Sequence, residues 1–311
     1  MRTRKVGFVR RATVWAVAAL LGVATISGCG LADASGGGSG QAIQVVAAEN
    51  FWSSIAAQVG GARVAVTSII RDPGADPHSY EPTAQDARAF AQARYVIVNG
   101  AGYDPWAERL LAANPVSGRV VLNIGGFLGL HAGDNPHLWY NPDFVTRVVN
   151  KIRDDLKTLD PAASAALDQS AYAYLTTGLS QYHQLIATIK AKYSGVPVGA
   201  TESIFSYLAP GLGLNLITPY SYLKAVSEGQ DVAAADEAAV ERQITQKQIK
   251  ILVYDSQNTP PNVQTLIGLA RAQSIPVATI TETLTPANAT FQAWQTAQLQ
   301  GILDALNQAS K

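Results

Sequence analysis

The chain has 311 residues, with 23 basic and 23 acidic side chains and a single cysteine. Five of the basic residues and none of the acidic ones lie in the first 28 positions, so the remainder carries 18 against 23, a net charge of −5 that argues against nucleic acid as a partner. A lone cysteine forms no internal disulfide, and the stretch from about Ala42 onward exceeds the usual single-domain size, with room for one large or two modest cores.

Arg2, Arg4, Lys5, Arg10 and Arg11 precede an apolar run from Ala12 to Ile26, too short for a comfortable membrane span and typical of an export signal. The run ends in Ile26-Ser27-Gly28-Cys29, which resembles the lipobox of bacterial lipoproteins, so residues 1–28 read as a signal peptide and Cys29 as the lipidated residue. Residues 29–41, Gly/Ser-rich from Ala32 to Gly40, read as a flexible tether holding a domain off the membrane.

Short β-branched runs then alternate with segments of helical period. Ile43–Ala47, Val64–Ile70, Tyr95–Val98 and Val120–Leu122 read as strands, with helices such as Phe51–Val59 and Ala84–Gln92 between them. A second set follows at Val196–Gly199, Leu214–Ile217, Ile251–Tyr254 and Val277–Ile280, with helices near Glu237–Ile244, Asn262–Ala272 and Ala289–Asn307. Between the sets, Asp160-Pro161 has the form of an N-cap followed by proline at the first helical position, and only Gly178 interrupts the run to Lys192. The expected fold class is α/β: two α/β lobes with mostly parallel sheets, at residues 42–160 and 195–311, joined by one long backbone helix over 161–194. A rigid joining helix predicts that a site between the lobes closes by a small amount.

Ligands of open α/β sheets sit beyond the carboxyl ends of the strands. His78 follows Val64–Ile70 in Asp76-Pro77-His78-Ser79-Tyr80-Glu81-Pro82, and His137 lies in Asn135-Pro136-His137-Leu138-Trp139 after a Gly-rich loop. Glu202 follows Val196–Gly199, and Glu282 follows Val277–Ile280. Two imidazoles and two carboxylates make a complete shell for a divalent ion such as Mn²⁺ or Zn²⁺, whereas Mg²⁺ and Ca²⁺ prefer oxygen alone. Prolines beside both histidines restrict the local backbone and help pre-position a ligand. Tyr80, Trp139, Tyr140 and Tyr207 are candidates to shield the ion, Trp139 above all because it follows the ligand loop.

Ala47-Ala48-Glu49-Asn50-Phe51-Trp52, the His78 motif, Asn99-Gly100-Ala101-Gly102-Tyr103-Asp104 with Trp106, and the His137 motif occur in the order seen in the zinc/manganese-binding lipoproteins of ABC importers. The chain resembles that family from about Val45 to its C-terminus, most specifically at the two histidine motifs. The resemblance implies a metal-binding protein, not an enzyme, with His78, His137, Glu202 and Glu282 as ligands. The family's last ligand is usually aspartate, and Asp255, after Ile251–Tyr254, is the alternative to Glu282. The resemblance further implies Mn²⁺ or Zn²⁺ as transported ligand, an ABC permease and its ATPase as partners, an extracytoplasmic monomer, and attachment to the membrane through the lipid on Cys29. Between Gly125 and Asn135 only His131 is present, not the His-rich loop of many zinc-binding relatives; with Glu202 this tilts the expectation toward manganese. A His₂-carboxylate₂ site nevertheless prefers Zn²⁺ to Mn²⁺ intrinsically. His131 and His183 read as residues that bind nothing.

Three rivals follow from the same residues. His, His and Glu also form catalytic zinc sites in metal-dependent hydrolases, but the chain has neither H-E-x-x-H nor G-x-S-x-G. A receptor for a siderophore or other organic ligand needs a wide apolar or basic cleft. An adhesin or structural lipoprotein predicts no dependence of metal uptake on this protein.

Overall fold

Strands with apolar side chains on both faces cannot rest on water and must be covered by helices from two sides. The computed structural model describes residues 41–311, and there the first lobe follows that rule. Its elements are β1 (Ile43–Glu49), α1 (Asn50–Gly60), β2 (Val64–Ile70), α2 (Ala84–Gln92), β3 (Tyr95–Val98), α3 (Pro105–Ala113), β4 (Val120–Asn123), α4 (Ile124–Leu128) and α5 (Pro142–Leu159). The four strands are all parallel in the order β2-β1-β3-β4, with Val46 opposite both Thr67 and Val96. Side-chain alternation divides the sheet. Val45, Ala47, Tyr95 and Ile97 enter the main core, whereas Val46, Ala48, Val96 and Val98 enter a smaller one closed by Phe90 of α2 and Trp106 of α3.

The second lobe repeats the plan with β5 (Pro197–Ala200), α8 (Leu208–Gly211), β6 (Asn215–Leu216), α9 (Tyr220–Ser227), α10 (Ala234–Thr245), β7 (Leu252–Asp255), α11 (Pro261–Ala272), β8 (Val277–Ile280) and α12 (Phe291–Ala309), after α6 (Ser164–Ala173) and α7 (Ser180–Tyr193). Its sheet is again parallel, in the order β6-β5-β7-β8. The molecule is thus a two-lobed α/β protein, and the main core runs without a break from Val45 and Trp139 of the first lobe through Leu167 and Ile189 to Val253 and Ile302 of the second. Residues Gly40–Lys311 form one compact unit.

The joining segment is helical but not uniform. A 3₁₀ turn at Pro161–Ala163 leads into α6, a π-helical stretch covers Tyr174–Gly178, and α7 follows. The wider π turn falls at Gly178, where an added Cβ would lie 2.8 Å from the Tyr174 ring, so the single glycine of the run lets the aromatic ring lie against the backbone. Helix α5 is absent from the elements read in the sequence. Asn141 caps it by accepting from the amides of Asp143 and Phe144, and Pro142 occupies its first position. It buries Val145, Val148, Val149, Ile152 and Leu156 along one face, each worth about 1.5–3 kcal/mol relative to exposure.

The export segment, Cys29 and nearly all of the tether lie outside the described residues. No described helix is long and apolar enough to cross a membrane.

Candidate metal centre

Both sheets point the carboxyl ends of their strands toward the junction of the lobes, and the candidate ligands stand there. On the first-lobe side, His78 sits in the loop between β2 and α2. Asp76 folds that loop back on itself, accepting from the His78 amide at 2.8 Å and from the Ser79 hydroxyl at 2.8 Å. Trp106 donates to the Pro77 carbonyl at 3.1 Å, and the Tyr103 ring meets the His78 imidazole edge-on at 4.7 Å. The loop is therefore held on both sides of its histidine.

His137 is more tightly built in. Only 1% of it is exposed, and the Trp139 ring lies 5.3 Å from its imidazole. The Asn135 amide group donates to the Ser203 carbonyl at 2.8 Å, which fixes which end of that side chain is oxygen. That oxygen lies 2.7 Å from His137 Nδ1. Nδ1 therefore carries the proton, and Nε2 presents its lone pair to the junction. Burial pushes the His137 imidazole below its ordinary range, against the pull of Glu282, so it is neutral at pH 7.

The Nε2 atoms of His137 and His78 lie 3.4 Å and 3.6 Å from the same oxygen, Glu282 Oε1. The three side chains offer ligand atoms all within 4.8 Å of one another. His78 Nε2 is buried with no hydrogen-bond partner among the described residues, so two nitrogens and a carboxylate oxygen face one point that lacks a positive charge. Burial works against ionisation of Glu282, but His137, His78 and the Tyr103 hydroxyl outweigh it and hold the carboxyl below its usual range.

Glu202 and Asp255 stand outside that group of three. Both are buried, and Glu202 Oε1 and Asp255 Oδ2 have no hydrogen-bond partner among the described residues. Glu202 lines a cavity of about 360 Å³ together with Asp76, His78, Gln257, Asn258 and Glu282. Burial, then the charges of Asp255 and Glu282, push the Glu202 carboxyl well above its usual range. The Asp255 carboxyl is pushed up to about 8 by burial and by Glu282, against the Gln257 amide that donates to it. Carboxyls in such surroundings take up a proton or a cation.

Several residues that shape the site carry no ligand signature in the sequence. Gln257 is one: its Oε1 accepts the amides of Glu282 and Thr283 at 2.7 and 2.9 Å, while its Nε2 donates at 2.7 Å to the Pro73 carbonyl of the His78 loop. It ties the Glu282 segment of one lobe to the His78 loop of the other. Tyr103 and Asn135 are further cases, although both sit inside motifs that the sequence displays. Of the aromatic candidates, Trp139 packs beside His137, Tyr207 donates to the Asn135 carbonyl, and Tyr140 donates to the Thr281 carbonyl next to Glu282. Tyr80 turns away, bonding Asp86 and packing on Trp106. His183 lies on α7, in a groove with Asn141 and Lys190.

Residues 45–305 match the family described as zinc-uptake complex component A, periplasmic. The chain belongs to this family. It is 28% identical over 197 residues to the manganese-binding lipoprotein MntA of Halalkalibacterium halodurans, a match covering 61% of this chain and 65% of that one, so it spans just under two thirds of that relative's length. It is 28% identical over 220 residues to the iron-binding protein YfeA of Yersinia pestis, covering 66% and 68%. Among solved structures, a periplasmic metal binding protein from Candidatus Liberibacter asiaticus superposes with a TM-score of 0.71 at 19% identity, over 84% of this chain and 98% of that one. At that identity the likeness establishes the two-lobed fold. Membership places the chain in a family described by a periplasmic component of zinc uptake.

Proposed function

We propose that this chain is an extracytoplasmic, lipid-anchored receptor that captures Mn²⁺ or Zn²⁺ between its lobes and hands the ion to an ABC permease and its ATPase. In this reading residues 1–28 are the signal peptide, Cys29 carries the lipid, 29–41 are the tether, 161–194 join lobes 42–160 and 195–311, and the protein acts as a monomer. His78, His137, Glu202 and Glu282 are the ligands. The observation that carries the reading is the convergence of two imidazole nitrogens and a carboxylate on one point, with the unpartnered Glu202 Oε1 beside the adjoining cavity. Glu282 is favoured over Asp255 because Glu282 is the acid grouped with both histidines.

The capture mechanism follows from electrostatics. Without a cation, crowded buried carboxyls hold protons; an incoming divalent ion displaces them and supplies the positive charge that Glu202, Asp255 and Glu282 otherwise lack. The joining segment and the shared core restrict lobe rotation, so closure is confined to the loops that carry the ligands. We read the protein as a carrier and not a hydrolase, since four protein ligands fill the shell that a catalytic water would need. The nitrogen ligands favour a transition ion over Mg²⁺ or Ca²⁺.

The test is a competitive titration of the full chain with Mn²⁺, Zn²⁺ and Fe²⁺, beside His78→Ala and Glu202→Ala. One equivalent bound by the parent and lost in both variants is the expected result. No bound ion, or binding that survives both substitutions, would overturn the assignment.

A further inference from the structure

A second buried acid pair lies beneath the site and takes no part in the ligand set. Glu49, the last residue of β1, and Asp104, the residue before α3, are 0% and 1% exposed. Asp104 is partnered at both oxygens: Oδ2 accepts the Asn99 amide at 2.8 Å, and Oδ1 accepts the Gly100 amide at 2.8 Å. It thereby clamps a turn whose next three residues, Gly100, Ala101 and Gly102, all have positive φ. Glu49 has the opposite character. The β1–β3 register, with Ala47 opposite Ile97, brings its end of β1 beside the Asn99 turn that Asp104 clamps; the Asp104 carboxyl is the foremost charge acting on it, and taken as a carboxylate it has no donor at either oxygen among the described residues. Two ionised carboxylates in a dry interior repel each other, and one proton converts the contact into an O–H···O bond. Asp104, held by two amides, is the better anion, so the proton belongs on Glu49.

The clamped turn reaches the metal centre through one side chain. Asn99 accepts from Trp52 Nε1 at 3.0 Å, and its own amide donates to the Pro136 carbonyl at 2.9 Å. Pro136 directly precedes His137, and its carbonyl also accepts the Leu138 amide at 2.8 Å, so the peptide groups flanking the histidine are pinned from the β1–β3 side. The Asn135 bond to Nδ1 sets the ring's tautomer; the Asn99 bond sets where its backbone stands.

We propose that Glu49 is a positioning residue that acts in its neutral form: it donates its proton to Asp104, Asp104 clamps the Asn99–Gly100 turn, and Asn99 holds the His137 loop where Nε2 meets the metal. The role rests on the metal-receptor reading of the same site. It requires a hydrogen-bond donor at position 49 and no charge, which separates it from a merely space-filling or an ionic role.

Glu49→Gln keeps a donor without charge, and Glu49→Leu removes it. Both full-length variants and the parent are compared by Mn²⁺ and Zn²⁺ titration and by the ring-nitrogen NMR signals of His137 in the metal-free protein. The expected result is rescue by Gln, with affinity within about 3-fold of the parent and an unchanged Nδ1–H signal. Leu should weaken binding by about 10-fold or more, the range found for outer-shell partners, and shift or broaden that signal. Loss of affinity in Glu49→Gln, or parental affinity and signal in Glu49→Leu, overturns the proposal. If Glu49→Leu does not fold, Asn99→Leu replaces it: the His137 signal must change there too, and an unchanged one counts against the chain of contacts. A parent that binds no metal sinks the receptor reading instead, while the imidazole signals still decide the positioning role.

Discussion

The two sides of the junction are built on opposite principles. The histidine side is held in place: Asn135, Asp76, Trp106 and Asn99 bond the loops of His78 and His137, and aromatic rings pack against both imidazoles. The carboxylate side is left wanting, with Glu202 Oε1 and Asp255 Oδ2 buried and unpartnered among the described residues and three acids in one another's field. Neutral ligands cost little to hold ready, so they are positioned by hydrogen bonds. Charged ligands held together without a cation cost a great deal, and that cost is returned when the ion arrives. Rigidity on one side and electrostatic frustration on the other suits the proposed receptor, which must both select and release.

The comparison breaks first at Asn135. Asn135→Ala removes the acceptor that fixes the His137 tautomer and the bond to Ser203; affinity should fall by about 10–100-fold, as for other partners of metal-bound histidines, measured by competitive titration. An effect under about 3-fold would mean the tautomer is set elsewhere.

The next largest effect concerns the acids. Glu202, Asp255, Glu49 and Asp104 all lie above their ordinary values when folded, with Asp255 near 8 and Asp104 near 6, and outnumber the Glu282 carboxyl and the His137 imidazole, which lie below theirs and act the other way. Groups with raised folded values bind more protons folded than unfolded, so their contribution is present at low pH and lost as pH rises through those values. The melting temperature of the metal-free protein should therefore fall between about pH 5 and pH 8, and saturating Mn²⁺ or Zn²⁺ should flatten the slope. A metal-free protein that gains stability across that range would contradict the frustrated arrangement. Metal affinity should move the other way, rising with pH as protons cease to compete.

Glu202→Gln sharpens the same point. Replacing a buried acid by its neutral isostere should raise the melting temperature of the metal-free protein at pH 8 by about 2–4 °C for each kcal/mol of repulsion removed, while metal affinity falls. The smallest effect is expected at Gln257. Gln257→Ala cuts the tie from Glu282 to the Pro73 carbonyl, and its signature should be faster metal dissociation in stopped-flow chelation with little change in association.

Much of the architecture was legible in the chain. Tyr95–Val98 is a continuous apolar run of strand length, Val64–Ile70 and Val277–Ile280 are rich in β-branched residues, and Ala84–Gln92 has a reciprocal cap at Thr83 and Asp86, so local chemistry alone marks them. Helix α5 is hard to see in the chain although Asn141-Pro142 is a good start signal, because the His137 motif runs straight into it and its apolar residues are spaced among ten charged or polar ones. The π turn at Tyr174–Gly178 follows from how a tyrosine ring packs on a glycine, which no one-dimensional pattern records.

The division at the site has the same origin. Residue type and position after a strand are enough to propose His78, His137, Glu202 and Glu282 as ligands, since parallel sheets deliver their strand ends to one side and only a few residue types bind metals. Which acid joins the histidines, which nitrogen faces the ion, and how Gln257, Asn135, Asn99 and Glu49 support the arrangement were decided by tertiary structure alone. Those properties depend on distances between segments 25 to 200 residues apart in the chain and on burial, which sets whether a carboxyl is charged; neither quantity exists until the lobes have packed.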